Sequence, residues 1–168
     1  MSAVIVVGVD GSPEAAEALE YAAAEAARRG ARLRVVAVFS VPEYWSVPVG
    51  FIPPAVPVPS WDLQSAAQEA AQRGVDALFA AHPDLVRQIE LEPLGVCGHP
   101  TDELVERSRG ADLLVLGHRG RGAAASVVLG SVGLSCVLHA QCPVTIVRPT
   151  KRTTSPASAV ATSQASAV

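Results

Sequence analysis

A six-residue apolar run, Val4-Ile5-Val6-Val7-Gly8-Val9, leads directly into the turn Asp10-Gly11-Ser12-Pro13 near the start of the sequence. The run is rich in β-branched residues and shows no polar alternation, which is typical of a parallel strand buried on both faces. Ser12 is a natural helix N-cap, and the proline after it fits the first helical position. The sequence therefore predicts a buried strand that ends in a tight turn and passes at once into a helix.

Strand and helix patterns alternate along the rest of the chain. Helices are predicted over 14–29, 61–81, 100–109 and 131–140, and further strands over 33–39, 88–93, 113–116 and 143–147. Such alternation is typical of a parallel sheet with helices on both faces. The prediction is a single Rossmann-like, doubly wound α/β domain whose five-stranded parallel sheet has the order 3-2-1-4-5. Ligands of such sheets bind beyond the carboxyl ends of the strands, and the loops after strands one and four are expected to flank that crevice.

The folded domain is expected to span residues 1–149 with one long interruption. Six prolines fall in the segment 41–60, a density at which no regular element is expected to form. Residues 150–168 are mostly Ser, Thr, Ala and Pro without periodicity, so we expect a disordered tail there.

The composition excludes several classes of function. The 168 residues carry 13 basic and 16 acidic side chains, a net charge of -3, which argues against a nucleic-acid-binding protein. The single lysine, Lys151, lies in no G-x-x-x-x-G-K-S/T context, so a P-loop is excluded. No apolar stretch approaches membrane-spanning length and the N-terminus lacks a basic signal region, so we expect a cytoplasmic protein without a membrane partner. The three cysteines, Cys97, Cys136 and Cys142, support neither a disulfide scaffold nor a zinc site.

The part of the chain from 113 to 147 contains no carboxylate, although 16 acidic residues precede it. It holds Gly117-His118-Arg119-Gly120-Arg121-Gly122 and, further on, Gly130-Ser131-Val132. Glycines let the backbone approach a ligand, successive N–H groups form a concavity for anions, and a helix N-terminus favours phosphate. With a serine hydroxyl and two arginines, this segment is predicted to bind a di- or triphosphate. The alternative is an ordinary surface loop in which glycine only caps a helix.

Two further residues are candidates for a role in binding or catalysis. Asp10 follows the first strand and is predicted to contact a bound ligand or a metal ion; the alternative is a turn residue that caps the next helix. His118 lacks a nearby carboxylate in sequence that would orient it as an acid or base, so it is predicted to be a loop residue near the phosphates. No residue is predicted to be catalytic, and no set of side chains is predicted as a resident metal site.

The spacing Gly117-x2-Gly120-x9-Gly130-Ser131 resembles the G-2x-G-9x-G-S/T pattern of ATP-binding universal stress proteins. The resemblance extends from Val4 to Arg148. It includes the opening from Val7 to Ser12, the strand Val35 to Val38, the turn Gly98-His99-Pro100 and the ending from Cys142 to Val147.

This resemblance implies a ligand, a set of contacts and a partner. The ligand is ATP, with a divalent ion, normally Mg²⁺, that bridges phosphate oxygens. The last strand, Pro143 to Val147, commonly pairs with its mate in a homodimer, which would also protect an exposed apolar edge. The implied nucleotide-binding positions are Asp10, Val38, Gly117, Arg119, Gly120, Gly130, Ser131 and Val132.

The resemblance also implies a role in stress responses as a nucleotide-dependent regulatory protein rather than an enzyme. Two alternatives stay open at this point: a slow ATP-hydrolysing enzyme of the same fold, and a dimeric scaffold that binds no nucleotide. A Rossmann dehydrogenase is disfavoured, because no G-x-G-x-x-G follows the first strand.

Overall fold

A computed structural model describes residues 3–40, 60–120 and 129–149 of the chain. Nearly all of the proline-rich segment, Arg121 and the expected tail from 150 onward lie outside the described residues. The described part contains the following strands and helices: β1 (Val4–Val9), α1 (Pro13–Arg29), β2 (Arg32–Phe39), α2 (Ser60–Ala81), α3 (Pro83–Val86), β3 (Leu91–Cys97), α4 (Pro100–Ser108), β4 (Leu113–Gly117), α5 (Ser131–His139) and β5 (Val144–Val147).

The five strands form one all-parallel sheet with the order β3-β2-β1-β4-β5, which confirms the predicted fold class and strand order. At the centre of the sheet, Val7 of β1 pairs with Val35 of β2 on one side and with Val115 of β4 on the other. The chain winds outward from β1 to β2 and β3, and then returns to the other side of β1 to add β4 and β5. The point where the direction reverses lies between β1 and β4, where such sheets open a crevice.

The central strand is buried on both faces, as its unbroken apolar run predicts. Ile5 and Val7 pack with α1, α2 and α3 on one face, and Val6 packs with α4 and α5 on the other. Alanines on α1, among them Ala18, Ala22 and Ala26, are fully buried. Because they are small, α1 lies close to the sheet and its first turn reaches the ends of β1 and β4.

Both ends of α1 follow the signals read from the sequence. The Ser12 hydroxyl accepts a hydrogen bond from the Ala15 N–H at 3.2 Å, and Pro13 is the first helical residue. Gly30 ends the helix in the left-handed conformation with φ of 61°, where glycine carries no steric penalty. The tight exit from β1 therefore holds Asp10 in a defined place.

The bounds of the third strand were predicted wrongly. The predicted strand over 88–93 ends at Pro93, whereas β3 covers Leu91–Cys97 and Pro93 lies inside it. Proline is tolerated there because β3 is an edge strand of the sheet, where no strand of the described residues neighbours one side of the backbone. The short helix α3 was not predicted, and the bounds of the other elements agree with the predictions to within one residue.

Helix α2 lies almost in contact with the backbone of β3. A Cβ added to Gly95 would lie 2.0 Å from the Gln68 nitrogen and 2.3 Å from the Ala67 carbonyl carbon, so only glycine fits there. Among the described residues, no helix is both long and apolar enough to cross a membrane.

Candidate functional site

A cavity of about 680 Å³ opens at the carboxyl ends of β1, β2 and β4, on the face of the sheet that carries α4 and α5. Its size is that of an ordinary small-molecule site. All eight residues named as nucleotide-binding positions line it, although they come from four separate parts of the chain. They are Asp10, Val38, Gly117, Arg119, Gly120, Gly130, Ser131 and Val132.

Asp10 is held by the turn between β1 and α1. Its Oδ1 accepts hydrogen bonds from the Ser12 N–H at 2.9 Å and from the Ser12 hydroxyl at 2.6 Å. The turn role that was the alternative for Asp10 is therefore present. It does not remove Asp10 from the site, because the residue also lines the cavity.

Gly117 and Gly120 are needed for different reasons. A Cβ on Gly117 would lie 2.8 Å from the Glu14 carbonyl oxygen, so this glycine lets the end of β4 approach the first turn of α1. A Cβ on Gly120 would lie 2.6 Å from Asp10 Oδ2. Both glycines line the cavity, but only Gly120 keeps space open directly beside a polar group of the site.

The N-terminus of α5 forms another part of the cavity wall. Gly130 is its N-cap, and the first intrahelical hydrogen bond joins the Leu134 N–H to the Gly130 carbonyl at 2.9 Å. The N–H groups of Ser131, Val132 and Gly133 come before that bond and have no acceptor within the helix. All three residues line the cavity, where such groups and the helix dipole favour a negative charge.

His118 lies in the loop directly after β4, as predicted, and its nearness to bound phosphates stays a prediction. Its side chain is 93% buried, since only 7% is exposed, and the residue is not among the described ones that line the cavity. Its backbone N–H donates to the Val147 carbonyl, and its carbonyl accepts from the Gly130 N–H, both at 2.9 Å. His118 therefore links β5 and the start of α5, and it belongs to the framework of the site.

The floor of the cavity is apolar and was only partly foreseen. Val36 and Leu116 contribute from the strands, and Pro100 and Leu104 contribute from α4. In the sequence these residues look like ordinary core positions, so no signal marked them. Among the valines of the strands that line the cavity, Val38 alone was predicted as a nucleotide-binding position, and that prediction came from the family resemblance.

Charge in the site is sparse. Among the described residues that line the cavity, Asp10 and Arg119 are the charged ones. No group of three or more His, Cys, Asp or Glu side chains in the described ranges is arranged to hold a metal ion. The thiols lie apart from this cavity, and burial raises the pKa of Cys136 to about 11. Cys136 is fully buried, whereas Cys97 and Cys142 are only partly so.

A second cavity of about 540 Å³ lies on the other face of the sheet, between α1 and α2. Of the eight predicted positions, Asp10 and Val38 also line this one. The remaining six, including every residue of the glycine segment, line the first cavity alone. The predicted site residues thus converge on the α4–α5 face.

Comparison with known proteins identifies the family of the chain. The sequence model of the universal stress protein family matches residues 1–148. The chain belongs to the universal stress protein family. A universal stress protein of Mycobacterium tuberculosis is 38% identical over 151 residues, which is 85% of this chain and 47% of the relative. The chain of 168 residues therefore spans about half the length of that relative.

Solved structures of the family show the same fold. Universal stress protein UspA of Lactobacillus plantarum superposes with a TM-score of 0.65 at 24% identity, over 87% of this chain and 97% of the other. A universal stress protein solved in complex with cAMP has a TM-score of 0.56 at 26% identity, over 89% of this chain and 98% of the other.

Proposed function

We propose that this universal stress protein binds an adenine nucleotide in the cavity at the ends of β1, β2 and β4, and that the nucleotide is ATP. The observation that carries the proposal is the convergence of eight predicted residues, from four separate parts of the chain, on one cavity of about 680 Å³. A solved relative, 26% identical to this chain, binds cAMP, which supports an adenine nucleotide as the class of ligand.

The two halves of the cavity suit the two halves of a nucleotide. The apolar floor formed by Val36, Val38 and Leu116 offers a surface for a base. The N–H groups at the start of α5, the Ser131 hydroxyl and Arg119 would bind the phosphates. Asp10 also lines the cavity, and its carboxylate can accept hydrogen bonds from ribose or base.

Mg²⁺ fits this arrangement as an ion carried by the phosphates. It prefers to keep several waters and to take one or two carboxylates in addition to phosphate oxygens. Asp10 is the carboxylate that lines the cavity among the described residues. When bound, the ion would neutralise phosphate charge, while the protein would hold the nucleotide through α5 and Arg119.

We propose further that the bound nucleotide regulates the protein in a stress response. The cavity's polar groups are suited to hold phosphate oxygens, and the sequence predicts no catalytic residue among them. A slow ATP-hydrolysing enzyme is the alternative, and turnover on the order of 1 s⁻¹ or more, as in ordinary enzymes, would favour it.

Nucleotide binding can be tested directly. We expect denatured, freshly purified protein to release an adenine nucleotide that chromatography identifies. We also expect ATP with Mg²⁺ at 100 times its Kd to stabilise the protein by about 2.7 kcal/mol, which raises the melting temperature by several degrees. GTP with Mg²⁺ is the control, since it carries the same phosphates on another base. A protein that releases no nucleotide and is not stabilised by ATP would favour the scaffold alternative.

Cyclic AMP is the second candidate ligand, because the relative solved with cAMP shares this fold. A titration of cAMP beside ATP in the same melting experiment separates the two. Greater stabilisation by cAMP at equal concentration would assign the site to a cyclic nucleotide.

We propose that the protein forms a homodimer through its last strand, Pro143 to Val147. The strand β5 is the edge strand of the sheet next to β4. The helix α5 lies against it, and a Cβ on Gly133 would lie 3.7 Å from Ile146 Cδ1. The outer surface of that helix exposes an apolar stripe at helical spacing: Leu134 is 50% exposed, Val137 50% and Leu138 66%. An uncharged apolar surface of this kind suits contact with a second copy.

A lysine on the stripe should separate the copies. We expect Leu138→Lys to weaken the dimer about tenfold or more, because a charge would be buried in an apolar interface. The matched control is Phe79→Lys, which changes another exposed apolar residue, 49% exposed, on α2. Light scattering after size-exclusion chromatography, over a range of protein concentrations, measures both. Equal dimerisation of the two variants would remove α5 from the interface.

A further inference from the structure

The strand β3 forms one edge of the sheet. The backbone N–H and C=O groups of every second residue in it point away from the neighbouring strand β2. The Glu90 carbonyl accepts from the Leu33 N–H of β2 at 2.8 Å, and the Gly98 N–H donates to the Phe39 carbonyl at 3.0 Å. The backbone groups of even-numbered residues at both ends of β3 therefore point toward β2. The backbone groups of the odd-numbered residues between them, including Pro93 and Gly95, point away from the sheet.

Two glutamines of α2 occupy these outward positions. Gln68 Nε2 donates to the Pro93 carbonyl at 3.0 Å, and the Gly95 N–H donates to Gln68 Oε1 at 2.8 Å. Gln64 Nε2 donates to the Gly95 carbonyl at 2.7 Å. Pro93 has no N–H to offer. At two successive outward positions, every backbone polar group is thus either paired or absent.

The Gln68 side chain imitates a neighbouring strand. Its amide presents one donor and one acceptor to β3, as the peptide group of an added strand would do. The glutamine can reach both groups because Gly95 lets α2 lie against the strand without an intervening side chain. An edge strand with unpaired groups is a template for another polypeptide, and natural proteins block such edges.

The opposite edge of the sheet is different. The Pro143 carbonyl accepts from the Leu114 N–H of β4, and the Val147 carbonyl accepts from the N–H of His118 directly after β4, each at 2.9 Å. Val144 and Ile146 therefore direct their backbone groups away from β4. Within the described residues, no hydrogen bond engages those groups.

We propose that Gln64 and Gln68 close the β3 edge against strand addition, so that edge-to-edge association of this chain is confined to β5 and stops at two copies. The number two rests on the proposed dimer through β5. Closure of the β3 edge does not depend on that dimer. The partner excluded at β3 is an extended polypeptide segment, a second copy of this chain included.

The test removes the two amides from the full-length chain. Gln64→Ala with Gln68→Ala deletes all three hydrogen bonds to β3. Alanine has the higher helix propensity, so a weaker helix is not the cause of any change. Gln72→Ala is the matched control, because Gln72 lies one turn further along α2 and, within the described part of the chain, its Nε2 bonds inside the helix, to Asp76 Oδ1 at 2.9 Å.

Hydrogen exchange and particle mass give two separate readouts at 25 °C. In dilute solution we expect the Gly95 N–H of the double variant to exchange about tenfold faster or more than in the Gln72→Ala control. As the protein concentration rises, we expect particles larger than those of the control, and the Gly95 N–H to regain protection as a strand of another copy pairs with it.

Particle sizes that match the control at every concentration would overturn the proposal. Larger particles without renewed protection at Gly95 would also overturn it, because association would then occur elsewhere. A wild-type protein that is monomeric would refute the β5 dimer alone, and the comparison of the double variant with its control would still decide the role of the glutamines.

Discussion

Gly95→Ala is expected to lower the free energy of unfolding by about 3 kcal/mol. The added Cβ would lie 2.0 Å from the Gln68 nitrogen and 2.4 Å from the Gln68 Cα, which are backbone atoms of α2. A backbone cannot move aside as the end of a flexible side chain does, so α2 must shift away from β3. The shift would lengthen the hydrogen bonds that Gln64 and Gln68 make to this strand.

A glycine-to-alanine substitution at position 74, in helix α2, is expected to change the free energy of unfolding in the opposite direction. A Cβ on Gly74, within α2, would come no closer than 3.5 Å to any neighbouring atom, the nearest being Leu19 Cδ2. Gly74→Ala should therefore raise the free energy of unfolding by roughly 0.5–1 kcal/mol, because alanine loses less entropy in a helix than glycine does. Urea titration followed by circular dichroism measures both. Equal stability of Gly95→Ala and the wild type would mean that α2 does not lie against β3 as described.

The parts of the fold that could be predicted depend on local signals. The apolar run of β1, the Ser12 cap and the Gly30 stop each specify one element through residues that are neighbours in sequence. The alternation of elements then leaves few sheet topologies, because parallel crossovers are nearly always right-handed. For this reason the order of the strands was predicted correctly from a short list of local features.

The error at β3 shows where local signals end. Pro93 looks like a terminator, because a proline in a central strand would remove a ladder hydrogen bond. Only the position of β3 at the sheet edge makes Pro93 acceptable, and that position is a property of the whole fold. The need for glycine at Gly95 is likewise invisible in the sequence, since it arises from a helix about 27 residues earlier in the chain.

The candidate site divides in the same way. The glycine segment and Asp10 could be named because turns, helix starts and polar residues have recognisable patterns. Val36, Leu104 and Leu116 could not, because a residue that lines an apolar floor has the same sequence character as one in the core. The burial of His118 could not be predicted for the converse reason: a polar residue in a loop looks exposed, whereas the hydrogen bonds of its backbone to Val147 and Gly130 draw it inside.

Gly120→Val is expected to weaken the binding of ATP about 100-fold, or about 2.7 kcal/mol. The added Cβ would lie 2.6 Å from Asp10 Oδ2, and Oδ1 of the same carboxylate is already held by Ser12. The valine must therefore displace the carboxylate or extend into the cavity. Gly120 does not have a positive φ, unlike Gly11, Gly30, Gly98 and Gly110. The expected loss thus comes from occupied space beside Asp10 rather than from backbone strain.

Gly74→Val is the control for this substitution, because it adds the same side chain on α2, on the opposite face of the sheet from the cavity. Calorimetric titration with ATP and Mg²⁺ gives both affinities, and thermal melting without nucleotide shows that each variant is folded. A lower affinity for ATP in a Gly120→Val protein of unchanged stability would locate the nucleotide beside Asp10. Gly120 is suited to this test because it adjoins Asp10, whereas Gly117 adjoins the backbone of α1. Unchanged affinity in a folded Gly120→Val protein would place the nucleotide away from this glycine and would contradict the proposed site.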